Sequence, residues 1–149
     1  MLRVGAILLT LWTGFNLVLA LCILFAILIL GKNAPALMIL YGDTYPAGME
    51  PRALATINAL AVIFNACAAA LCALSLVVIW FALLHKARWA FCSVAGSLGL
   101  VQAAGFASDS FLADKDLAAN VASSLLLLLG FGFVALGLFR RSGIPADRE

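Results

Sequence analysis

Residues 4–30 read VGAILLTLWTGFNLVLALCILFAILIL, a run without a charged side chain that is bounded by Arg3 and Lys32. A helix needs about 20 mostly apolar residues to cross the hydrocarbon of a bilayer, and this run exceeds that length. Three further stretches share its character. Residues 53–84 lie uncharged between Arg52 and His85–Lys86, residues 89–108 between Arg88 and Asp109, and residues 117–139 between Asp116 and Arg140–Arg141.

Composition says the same on a larger scale. The chain is 66% hydrophobic and 11% charged over 149 residues, with a mean hydropathy of +1.16. A soluble domain runs at about 45–50% apolar and about 25% charged. A water-soluble fold of this size exposes too much of its surface to hide so many apolar side chains, so lipid must be the solvent for much of the chain. The sequence therefore predicts an all-α integral membrane protein: a single domain over residues 1–149, folded as an antiparallel four-helix transmembrane bundle.

The punctuation agrees with four spans. Pro51 follows Glu50 at the start of the second stretch, where a missing N–H costs nothing. Asp114 and Asp116 precede the fourth, as caps and favourable charge for a helix N-terminus. Residues 142–145, SGIP, end that helix and open a polar tail over residues 140–149. The second stretch is overlong: its 32 residues would reach roughly 48 Å at 1.5 Å per residue, against a hydrocarbon core of about 30 Å. It must tilt, project from the membrane or break.

Lys and Arg in short loops set orientation. With the N-terminus inside, the inner side holds Arg3, Lys86, Arg88, Arg140, Arg141 and Arg148, and the outer side only Lys32, Arg52 and Lys115. This predicts a multi-pass protein of the cell (inner) membrane with both termini cytoplasmic. Trp80 and Trp89 flank the inner turn at residues 84–88, as interfacial aromatics do. Residues 19–22, LALC, approach a lipoprotein cleavage box. However, the residue before Cys22 is Leu21 instead of a small one, and the apolar run continues past any cut site, so the segment reads as a retained span. In the outer loop over residues 31–52, the segment 34–41 (APALMILY) is too short to cross. It reads as a helix lying at the interface, with a lid over a cavity as the alternative.

Catalytic chemistry is not legible. Cys22, Cys67, Cys72 and Cys92 lie within spans and form no Cys-x-x-Cys pair, so they read as small packing residues. His85, the single histidine, cannot supply both axial ligands of a haem and lacks zinc partners; it reads as a solvated loop residue. The outer acids Asp43, Glu50, Asp109, Asp114 and Asp116 show no ligand spacing for a metal. No acid or base lies deep in a span, whereas proton-coupled carriers and lipid-modifying enzymes place costly ionisable groups there. No basic run with interleaved aromatics indicates nucleic acid. No cofactor, metal site or catalytic residue is expected, and the residues diagnostic of disulfide-forming, glutathione-binding and fluoride-channel membrane families are absent.

Two patterns remain. On the third helix Ala95, Gly99, Ala103 and Ala107 recur at four-residue steps, which lets another helix backbone approach closely. The partner could be a helix of this chain, a second copy or another membrane protein. Gly130-Phe131-Gly132 in the fourth helix also reads as packing. The amides Asn16, Asn65 and Gln102 lie deep in the spans and are expected to meet in a mid-membrane polar layer, with Asn16 and Gln102 as its core pair and Ser123 and Ser124 nearby. That layer serves as structural glue or lines a small solute or lipid-headgroup site.

The functional expectation is a membrane protein without catalysis that works through helix packing, as an accessory subunit or a self-associating unit. The alternatives are a passive small-solute pathway or lipid-binding protein using that polar pocket and, last, an enzyme on a lipid or quinone.

Overall fold

The computed structural model describes residues 1–31, 51–110 and 117–139. The segment 34–41, the acids Asp43, Glu50, Asp114 and Asp116, and the tail lie outside the described residues, as does the side chain of Asp109. Among the described residues the fold has four α-helices: α1 (Leu2–Leu30), α2 (Pro51–Val78), α3 (Arg88–Ser110) and α4 (Leu117–Phe139). Each is long and apolar enough to cross a membrane. α1 ends at Gly31, whose φ of 55° suits a residue without Cβ and whose N–H reaches Ile27 O. Pro51 is the first residue of α2, as its missing N–H favours.

The overlong second stretch does not break but changes its winding near its end, within one continuous candidate span, Ala55–Leu83. α2 passes into a π-helical turn, Ile79–Leu83. Leu84 N–H donates to Ile79 O at 3.2 Å and Ala87 N–H to Ala82 O at 3.1 Å, five residues back instead of four. The chain then reverses through Lys86, at φ 62°, whose N–H meets Leu83 O at 3.0 Å.

The helices form a ring in which α1 packs on α2 and α4, and α3 packs on the same two. α1 and α4 come into backbone contact at their glycines. A Cβ built on Gly5 would stand 2.6 Å from Val134 N, and one on Gly137 2.6 Å from Leu2 N. A Cβ on Gly130 would stand 2.7 Å from Leu9 Cδ2. Going up α1 through Leu2, Gly5, Leu9 and Trp12, the partners go down α4 through Gly137, Val134, Gly130 and Ser123. The core gathers Leu9, Ile79, Leu83, Val94, Leu98 and Val134 from α1, the π-helical turn, α3 and α4, near the end where α1 starts and α4 stops. A smaller cluster around Ile27 joins the far end of α1 to Ala61 and Val62 of α2. Phe91 of α3 lies edge-on to Phe131 and Phe139 of α4, each at 6.0 Å.

The α3 stripe is not the seam of this bundle. A Cβ on Gly99 would have nothing within 4 Å, and the same holds for its neighbour Gly96. Ala95 is half-buried, and Ala103 and Ala107 are exposed. Of the Gly130-Phe131-Gly132 triplet, Gly130 meets α1 while Gly132 faces open space.

Candidate functional site

The polar side chains of the bundle converge on Gln102. Its Nε2 donates to Ser124 Oγ at 2.9 Å, and its Oε1 accepts from Ser123 Oγ at 3.1 Å. Ser123 Oγ in turn accepts from Trp12 Nε1 at 2.8 Å, and Ser124 donates to Asn120 O at 2.9 Å. One chain of hydrogen bonds thus ties α1 to α4, crosses to α3 and returns to α4.

Its direction is fixed at both ends. An indole N–H only donates and a backbone carbonyl only accepts. Ser123 must therefore take the Trp12 proton and pass its own to Gln102. Ser124 spends its proton on Asn120 O and must accept from Gln102. A single orientation of the Gln102 amide satisfies both serines, which settles an assignment that side-chain shape alone leaves open. Every heteroatom in the chain makes at least one hydrogen bond, and among the described residues the second N–H of the Gln102 amide is the one donor left over.

The two other expected amides stay out of this chain. Asn16 Nδ2 donates to Trp12 O at 2.9 Å, one turn back on its own helix, and makes no hydrogen bond to Gln102. Asn65 is buried and donates to Ala61 O at 2.8 Å. A backbone carbonyl four residues back is always within reach of a short polar side chain in a helix; Thr10 and Thr13 use theirs in the same way. Trp12 occupies the place expected of Asn16. The sequence signal was available, because Trp12 precedes Asn16 by one turn on the same face, but indoles are more readily read as apolar or interfacial. Asn58, seven residues before Asn65, has a buried Oδ1 with no hydrogen-bond partner among the described residues.

A second, smaller polar contact joins α2 and α3. Ser75 is buried, and its Oγ lies 2.9 Å from Ser97 Oγ. Ser97 donates to Val94 O at 3.2 Å, so Ser75 is the donor to Ser97. The pair lines a groove of about 180 Å³ together with Ser93, Leu71, Leu74, Val78 and Val94.

Among the cysteines Cys72 alone is buried and packs as expected, while Cys22, Cys67 and Cys92 face outward. His85 is exposed, with Nδ1 3.0 Å from Phe81 O. No group of three His, Cys, Asp or Glu that could hold a metal ion occurs among the described residues. In comparison with known proteins, no family model matches the chain, and no curated protein or solved structure does so either.

Proposed function

We propose that this chain is an antiparallel four-span membrane protein with both termini cytoplasmic, working through helix packing and not catalysis, as a self-associating unit or an accessory subunit. The outward faces support insertion in lipid: Leu11 (61% exposed), Phe15 (68%) and Leu60 (61%) would be untenable in water. The observation that carries the reading is the contrast between glycines. Gly5, Gly130 and Gly137 are used up inside the bundle, whereas Gly99 and Gly96 leave room on the outer face of α3 with nothing within 4 Å. Small residues at four-residue steps lower the cost of a close helix approach, and none of the described helices makes that approach to Gly99.

The hydrogen bonds that tie Gln102 to both serines and through Ser123 to Trp12 support the glue reading of the polar layer over a solute pathway, because only one N–H of the cluster is left for a ligand. The test is purification in mild detergent, with measured particle mass and mass spectrometry of whatever accompanies the chain. A homo-oligomer or a stoichiometric membrane partner is the expected result. A bare monomer that conducts a solute in liposomes would sink the reading.

A further inference from the structure

The end of the bundle where α1 begins, α3 begins and α4 stops has its own chemistry. Arg3, Lys86 and Arg88 are exposed there, and among the described residues none of them has an acidic partner. Arg88 is the one held in place: its Cζ lies 5.8 Å from the centre of the Phe139 ring, which steadies the guanidinium through its face and leaves its N–H fork free. The opposite use of Phe139 is as a wall. With Met1, Ala135 and Leu136 it lines an open groove of about 550 Å³, within the roughly 300–1,000 Å³ of ligand-sized sites. Trp80 and Trp89 stand exposed around the same end, as aromatic side chains do at headgroup level.

We infer that this end holds an anionic phospholipid, its phosphate on Arg88 and the first part of one acyl chain in the groove between Met1 and Phe139. The inference rests on the membrane reading above. Two features single out this ligand class. A planar guanidinium fork matches phosphate oxygens in a bidentate way, and Lys86 and Arg3 add charge that a zwitterionic headgroup would not reward. The apolar groove begins at the ring that carries Arg88, so headgroup and chain would be bound by adjoining surfaces. A soluble anion could use only the first of these.

The experiment measures thermal unfolding of the purified full chain in neutral detergent, titrated with dioleoylphosphatidylglycerol, dioleoylphosphatidylcholine or inorganic phosphate. Phosphatidylglycerol is expected to stabilise at a lower concentration than phosphatidylcholine, and phosphate to have no effect. Arg88→Gln should raise the half-maximal phosphatidylglycerol concentration about fivefold, the loss of one basic contact at an anionic surface. Leu136→Trp fills the groove and should weaken the same response with Arg88 intact, which covers the case in which Arg88→Gln does not fold. Equal responses to the two lipids, a full response to phosphate alone, or an unchanged response in Leu136→Trp would overturn the site. Release of the chain from membranes by alkaline carbonate would instead sink the membrane reading itself, so the two failures are distinguishable.

Discussion

Gly137 of α4 sits directly over the backbone of Leu2 of α1: a Cβ at Gly137 would fall 2.6 Å from Leu2 N and 2.7 Å from Leu2 Cα. Backbone atoms cannot rotate away as a side chain can, so this contact fixes how closely the first and last helices approach. Gly5 repeats the relationship from the other side, against Val134 N. The hydrogen bond from Trp12 to Ser123 lies further along the same seam and depends on the register these glycines set.

Gly137→Ala should therefore destabilise the bundle, and Gly132→Ala should not. Alanine gains about 1 kcal/mol over glycine in helix propensity, while overpacking a close contact costs about 1–3 kcal/mol. At Gly132 nothing lies within 4 Å of the added methyl, so only the gain remains. At Gly137 and Gly5 the clash is with backbone and dominates. At Gly130 the nearest atom is the Leu9 side-chain tip at 2.7 Å, which can shift, so Gly130→Ala should fall between. Reversible unfolding in mixed micelles would rank the four variants. A Gly137→Ala chain as stable as Gly132→Ala would mean that the helices are not this close.

Ser123→Ala should cost more than Gln102→Leu. Removing Ser123 strands two buried groups at once, Trp12 Nε1 and Gln102 Oε1. Removing the Gln102 amide leaves Trp12 still bonded to Ser123, and Ser124 still bonded to Asn120 O. Polar contacts between membrane helices average about 0.6 kcal/mol and reach about 1.7, so Gln102→Leu is expected near the lower figure and Ser123→Ala near the upper. Trp12 also reports directly, because loss of the Ser123 acceptor should shift its emission to shorter wavelength. The reverse order of stabilities would show that the chain of hydrogen bonds does not run from Trp12 through Ser123.

Four helices long and apolar enough to cross a membrane were readable because an uninterrupted apolar run of about 20 residues between charges leaves few alternatives. The winding change at Ile79–Leu83 was not readable, because a single five-residue turn leaves the apolar pattern around it unchanged. What sequence could not supply was the choice of faces. The small-residue stripe on α3 marks a helix able to approach another, but not which helix takes the offer; Gly5, Gly130 and Gly137 took it, none of which has a small residue four positions before or after it. Position deep within the apolar stretches led Asn16 to be paired with Gln102 but said nothing of the competing carbonyl on Asn16's own helix. The indole of Trp12, longer than an asparagine side chain, spanned the gap.

Topology has a direct test that uses residues outside the spans. In a chain whose native cysteines are replaced, Thr44→Cys and Ala113→Cys should react with an impermeant thiol reagent added to intact cells, and Ala146→Cys should react only after lysis. The expectation rests on six basic residues assigned inside against three outside. Labelling at Ala146→Cys alone would invert the protein and move the basic end with Arg3, Lys86 and Arg88 to the opposite leaflet.

Gly99 separates an interface from a lipid-facing surface. Because nothing among the described residues lies within 4 Å of a Cβ at Gly99, Gly99→Leu should leave the stability of the isolated bundle within about 0.5 kcal/mol, as for surface changes generally. If α3 packs against a second copy, the same substitution should shift the particle mass from oligomer toward monomer. Cys92 gives an independent readout. It is exposed and lies seven residues before Gly99, two helical turns away on the same face. In a chain retaining Cys92 as its one thiol, mild oxidation in native membranes should yield a covalent dimer, and Gly99→Leu should suppress it. If the partner is a different protein, that dimer is absent and Gly99→Leu instead loses the co-purifying chain. A variant with unchanged stability, unchanged mass, no dimer to suppress and no partner to lose would mean that α3 presents its small residues to lipid, and the packing function proposed here would not stand.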